Sequence, residues 1–137
     1  MGISEFMEKD HDRLDAIFQE FQRTRDDRGR AGSLFNEFAG GLKRHIRWEE
    51  DLLFPLFENK TGMRNSGPTM VMRMEHREIE KLLQNISDAI AGDTAHWEHS
   101  LLEVLSTHNQ KEETILYPWM DRSLSEKERE DVFTKMV

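Results

Sequence analysis

Histidine and carboxylate side chains recur in this chain at a spacing that suits metal coordination. His45 and Glu49, within "HIRWEEDLLFP", stand four residues apart among large apolar side chains, as do His108 and Glu112 within "HNQKEETILYP". On a helix, residues four apart lie one turn above another, so each pair points one way. A slide of 63 residues lays His45, Glu49, Glu50, Leu53 and Pro55 over His108, Glu112, Glu113, Leu116 and Pro118. A slide of 65 lays "DHDRLD" over "EHREIE", matching His11 with His76 and Asp15 with Glu80. Each half of the chain therefore offers one His-x3-acid pair from its first helix and one from its second.

Four long helices are expected to carry these residues. Ser4 is positioned to cap the first, with Met7, Leu14, Phe18 and Phe21 on its apolar face, and "RTRDDRGRAGS" ends it. The second is expected from a Ser33 cap to about Glu58, with Phe38, Leu42, His45, Glu49, Leu52 and Leu56 along one stripe and Pro55 kinking or tightening its end. The third follows Ser66 and Pro68, with Met72, Ile79, Leu83, Ile86 and Ile90 on one face and Gly92 as its stop. The fourth starts near Asp93 or Thr94 and aligns Leu101, Leu105, His108, Glu112, Ile115 and Trp119. "SEKE", from Ser125 to Glu128, is a capping-box signature for a short C-terminal helix. No stretch alternates with period two. The expectation is an all-α fold, an up-down-up-down antiparallel four-helix bundle with a short C-terminal helix. It forms a single domain over 1–137, made of two helical hairpins at about 3–58 and 66–122.

A lone histidine on an apolar face is ordinarily a core residue with one satisfied hydrogen bond. His99 and Glu103 show the same spacing as the pairs above, but His99 lies nine residues before His108, about 180° around the helix, so this pair and His96 face solvent. Glu49 and Glu112 are different. They sit on the apolar seam, where an unpaired carboxylate costs several kcal/mol and no Lys or Arg is at hand. Cations between them resolve the conflict. Imidazole and carboxylate without thiolate suit iron, manganese or zinc, and the repeat favours two ions over one.

The chain has no cysteine, which excludes disulfides, thiolate metal sites and cysteine nucleophiles and suits a reducing cytoplasm. A formal net charge of -8 argues against a nucleic-acid or anionic-membrane surface. The N-terminal "MGISEFMEKDHDRLDAIF" is neither signal peptide nor membrane span, and Phe6 stands where a myristoylation signal needs a hydroxyl. Met70, Met72 and Met74 alternate, so a helix spreads them over core and rim instead of gathering a soft-metal patch. Trp48 and Trp119 flank the ligand pairs and are expected to wall them from water.

The order His, His-x3-Glu, His, His-x3-Glu on four helices, with "EEDLLFP" and "EETILYP" after the second and fourth histidines, resembles the hemerythrin-like, or HHE cation-binding, domain. The resemblance spans roughly Ile3 to Arg122. It implies a non-haem di-iron centre, oxo- or hydroxo-bridged, with His11, His45, His76 and His108 as terminal ligands and Glu49 and Glu112 as bridges. Manganese or zinc are the alternative ions. The oxygen-carrying members read His-x3-His on the third helix, where this chain has Glu80. Glu80 is then either a ligand or an outlying acid, and Asp15 is its counterpart in the first helix. Those carriers also set the last acid one residue further on, at Glu113 here, but the internal repeat favours Glu112.

The expectation is a cytoplasmic protein, monomer or homodimer, that, as the resemblance implies, binds or senses O2, NO or peroxide. Its redox partner is unknown, and it has neither a nucleic-acid nor a membrane partner. The alternatives are iron storage, iron sensing or iron donation for iron-sulfur cluster repair, and a peroxide-consuming di-iron enzyme.

Overall fold

The computed structural model describes the whole chain, Met1–Val137, and contains helices and no strand. The helices are α1 (Ile3–Arg23), α2 (Arg28–Arg47), α3 (Phe54–Thr61), α4 (Gly67–Asp88), α5 (Ala95–Lys111), α6 (Tyr117–Ser123) and α7 (Glu126–Lys135). A π-helical turn, Trp48–Leu53, joins α2 to α3, and a second, Glu112–Leu116, joins α5 to α6. Five helical rods result. α1 packs on α2 and α6, α4 packs on α5 and α2, α3 meets α6, and α7 lies on the first π turn. No helix is long and apolar enough to cross a membrane.

Two helix starts differ from expectation, each because another acceptor is at hand. α1 begins at Ile3, and Asp121 of α6 supplies the missing acceptor, taking bonds from the N–H groups of Ile3 at 2.6 Å and Ser4 at 3.1 Å. α2 begins five residues before Ser33 because the Asp27 side chain accepts from the N–H of Arg30 at 3.2 Å. α4 ends at Asp88, leaving Ile90 exposed. The capping box at Ser125 and Glu128 is formed as the sequence suggests. Gly62, with φ of 76°, closes α3 in the left-handed conformation that favours glycine. A Cβ on Gly41 would lie 2.7 Å from Leu14 Cδ2, so this position lets α1 and α2 approach closely.

The rod widens ahead of Pro55 instead of tightening there. A proline lacks an N–H and its ring clashes with the carbonyl four residues earlier. Here the chain widens before it, and the N–H of Phe54 bonds to Glu49 O, five residues back. The N–H of Tyr117, before Pro118, bonds to Glu112 O in the same way. Each wide turn inserts one residue into the apolar stripe. Downstream of Glu49 the buried positions are Leu53, Phe54 and Phe57, not Leu52 and Leu56. Downstream of Glu112 they are Leu116, Tyr117 and Met120, while Ile115 is 55% exposed.

Two apolar cores flank a polar belt. One gathers Leu14, Phe18, Phe21, Phe35, Phe38, Leu42, Ile79, Leu83, Leu101 and Leu105. The other gathers Ile3, Met7, Leu53, Phe54, Phe57, Met72, Leu116, Tyr117 and Met120. Along α1, His11 lies between Met7 of one core and Leu14 of the other, and along α4, His76 lies between Met72 and Ile79. The belt is therefore enclosed and held from both ends.

Candidate metal centre

Each histidine comes from a different long helix: His11 from α1, His45 from α2, His76 from α4 and His108 from α5. Glu49 and Glu112 come from the π turns. All six are at most 3% exposed. Glu112 Oε1 is 3.3 Å from both His108 Nε2 on its own rod and His11 Nε2 on α1. Glu49 Oε1 is 3.0 Å from His76 Nε2, and its Oε2 is 3.8 Å from His45 Nε2. Each carboxylate thus reaches one histidine of its own half and one of the other. This crossed pattern suits a bridge.

The outer nitrogens are held as firmly. The Nδ1 atom of His11 meets Glu113 at 2.6 Å, that of His45 meets Asp10 at 2.8 Å, that of His76 meets Glu50 at 2.6 Å, and that of His108 meets Glu75 at 2.9 Å. An ionised carboxylate only accepts, so each Nδ1 donates, and a neutral ring then turns the lone pair of Nε2 inward. Such carboxylate support orients the ring and raises its basicity toward a metal. The four bonds also repeat: Asp10 and Glu75, each just before one histidine, hold the histidine of the neighbouring helix, while Glu50 and Glu113 reach across halves. Arg13 pairs with Asp10 at 2.9 Å, Arg77 with Glu50 at 2.5 Å and Lys111 with Glu75 at 2.5 Å.

Without a cation the centre is electrostatically strained. At His11, burial disfavours the charged ring, but Glu112 and Glu113 outweigh it and push the pKa up to about 9. His108, buried beside Glu112, Glu49 and Glu75, is likewise pushed up to about 9. His76 is raised against its burial by Glu49. Burial and the like charge of Glu112 push Glu49 up. Glu112 is carried well down, because Glu49 and the imidazoles of His108 and His11 outweigh its burial. The inner atoms borrow protons to offset one another.

The donor set fits divalent cations. Glu49 Oε1, His76 Nε2 and Glu112 Oε2 are buried and have no hydrogen-bond partner, although the first two lie 3.0 Å apart. The only other such side-chain atom is Arg44 Nε, whose guanidinium lies over Trp48 at 4.8 Å. Orphaned polar atoms are rare in a folded interior. Their concentration here is what ions would resolve. Ligand atoms of Glu49, His76, His108 and Glu112 lie within 4.8 Å of one another, as do those of His11, His45 and Glu112. The two groups share Glu112. They define two adjacent positions with imidazole and carboxylate donors, a set suited to iron, manganese or zinc.

Glu80 lies outside both groups; its side chain is 41% exposed and pairs with Arg77 at 2.8 Å. Asp15 is also exposed, and with Asp12, Phe18, Leu105 and Glu113 it lines a cavity of about 380 Å³. Partial desolvation of its carboxyl where it lines this cavity, with the neighbouring charges of Asp12 and Glu113, pushes Asp15 up against the pull of His11. His96 and His99 are exposed, and His99 pairs only with Glu103 at 3.0 Å. Trp48 lies against His45, ring centres 6.3 Å apart. Trp119 instead sets its edge on Phe57 at 5.2 Å. Of the methionines, Met72 is buried while Met70 and Met74 are exposed.

The sequence reading did not single out Tyr117, which is fully buried within the centre. Its hydroxyl donates to Glu49 Oε2 at 2.6 Å and also lies 3.0 Å from Glu112 Oε1. Burial and these two carboxylates push the phenol well above its usual range. The aromatic-Pro ending of "ETILYP" marked it in the sequence, but regular helical spacing turned it off the seam.

The chain is similar in sequence to known proteins. The model of the hemerythrin HHE cation-binding domain matches residues 2–120. An uncharacterized hemerythrin-like protein of Schizosaccharomyces pombe is 28% identical over 128 residues, 92% of this chain and 63% of that one. A DNA nickase of Nostoc sp. is 25% identical over 138 residues, 98% of this chain and 38% of that one. The iron-sulfur cluster repair protein YtfE of Edwardsiella ictaluri is 47% identical over 45 residues, 33% of this chain and 20% of that one. The chain thus spans less than two thirds of the length of each of these relatives. No solved structure matches. With the domain model covering nearly the whole chain and the buried histidine-glutamate centre in place, the chain belongs to the hemerythrin HHE cation-binding domain family.

Proposed function

We propose that this chain is a non-haem di-iron protein that binds or senses a small ligand, O2, NO or peroxide, at a carboxylate-bridged centre. His11, His45, His76 and His108 serve as terminal ligands and Glu49 and Glu112 as bridges. The observation that carries the reading is the pair of buried donor groups sharing Glu112. Glu80 is left out of the ligand set because it is engaged by Arg77 at the surface. The reading takes the rods as an up-down-up-down bundle and a single domain of two hairpins, in keeping with the packing of α1 on α2 and of α4 on α5.

Two iron ions would supply a redox-active pair able to exchange a small exogenous ligand. The chain's own residues do the rest. Asp10, Glu50, Glu75 and Glu113 fix the imidazole rings by accepting from Nδ1. Phe54, stacked on His76 with ring centres 5.8 Å apart, and Trp48, beside His45, keep bulk water from the rings. O2 or NO added to the anaerobically reduced, iron-loaded protein, and azide added to the oxidised protein, are each expected to change the absorption spectrum saturably. A spectrum indifferent to all of them would refute ligand binding.

Donation of iron for iron-sulfur cluster repair is the second reading, favoured by the local 47% identity to the repair protein. Ready loss of iron to a mild chelator would support it over the first. The nickase relative extends well beyond the shared part, and a net charge of -8 provides no electrostatic footprint for DNA here.

A further inference from the structure

The two halves of the centre are built from a repeat, yet they are unequal at one place. A slide of 63 residues sets Tyr117 over Phe54. Phe54 stacks flat on His76, ring centres 5.8 Å apart at 6°, and brings no polar atom to its half. The Tyr117 hydroxyl, in contrast, lies 3.2 Å from His45 Nε2 and 3.3 Å from His11 Nε2, as well as 2.6 Å from Glu49 Oε2 and 3.0 Å from Glu112 Oε1. Inner atoms of four candidate ligands from α1, α2 and both π turns converge on one phenol oxygen. The second π turn causes this, because its extra residue rotates Tyr117 into the seam.

We propose that the phenol oxygen of Tyr117 is a ligand of the ion held by His11, His45 and Glu112, which makes the two metal positions chemically different. A cation drawn to these donors meets the phenol oxygen among them. On binding, the O–H bond breaks, the proton passes to solvent and the oxygen keeps the electron pair, so no oxidant or reductant is required. A hard, anionic oxygen at this position favours the ferric form of that ion. The His76–His108 position, faced by Phe54, has no such donor. The inference rests on the di-iron reading.

The test uses the fact that Tyr117 is the single tyrosine of the chain, so a tyrosinate signal has one possible source. Ferric protein is examined by iron analysis, visible absorption and resonance Raman excitation within the visible band. The expected result is about two irons per chain with a visible charge-transfer band whose excitation enhances phenolate ring modes. Tyr117→Phe should retain iron and lose both the band and the modes. Two bound irons without phenolate modes in the unaltered protein would overturn the Tyr117 assignment and leave the di-iron reading standing. Phenolate-free spectra together with no bound iron would overturn both. A band that survives unchanged in Tyr117→Phe would also overturn the assignment. Should that variant fail to fold, the unaltered protein alone decides, since no second tyrosine can contribute.

Discussion

Each candidate histidine is gripped at Nδ1 by a carboxylate and faces an inner glutamate with Nε2, so its ring has little freedom left. On the proposed di-iron reading, the outer carboxylates would carry part of the affinity that is easily ascribed to the inner residues. Glu75, which takes the bond from His108 and pairs with Lys111, is partly exposed on α4 and can be removed without opening a core. Glu75→Ala is expected to weaken metal binding by about 10–100-fold, the usual cost of losing such support. A chelator-competition titration checks this, and an unaltered affinity with His108 still in place would contradict it. The inner histidines and glutamates that converge in the belt were legible in the sequence because their spacing is local: His45 and Glu49 share one turn. The outer ones were not. Glu50 reaches His76 from another helix, and no spacing along the chain encodes that contact.

The π turns decide which residues the rods present to the centre. The Pro55 and Pro118 positions were legible, but the response to them was not, because a helix facing a proline can kink, tighten or widen. Regular 3.6-residue spacing therefore named Ile115 and Leu52, where the structure buries Leu116, Tyr117, Leu53 and Phe54. Pro118→Ala restores the N–H and removes the ring clash, freeing the rod to return to α-helical bonding. One residue of register is about 100° of rotation, enough to turn Tyr117 out of the belt. Metal affinity is expected to fall by about tenfold or more, comparable to the loss of a supporting residue. Equal metal content and an unchanged visible spectrum in this variant would show that the wide turn does not depend on the proline.

Across the molecule, the fold class was legible because apolar periodicity runs through four long segments and no segment alternates with period two. The exact helix starts were not, since Asp121 caps α1 from a distant part of the chain. The same scale governs the response to pH. His11 and His108 have pKa values raised to about 9 in the metal-free protein. A raised pKa means the folded state holds the proton more tightly than the unfolded chain, whose histidines titrate near 6.5. That contribution is fully present below pH ~6.5 and is lost as pH rises through about 9, so metal-free protein should melt at progressively lower temperature over that window. Metal binding needs the neutral rings and releases these protons, so affinity for divalent ions should instead strengthen over the same window. Melting temperatures that are flat with pH in the metal-free protein would mean that Glu49 and Glu112 do not hold the inner imidazoles in their protonated form.

The central claim is that two metal ions occupy the buried belt, and counting them tests it most directly. Elemental analysis of purified protein after anaerobic reconstitution should find about two irons per chain, because two donor groups sharing Glu112 define two positions. Glu112→Ala, which removes the shared ligand, should hold fewer. No stoichiometric metal in the unaltered protein would mean that the buried carboxylates are neutralised by histidine protons alone, and the functional account would fall with the centre.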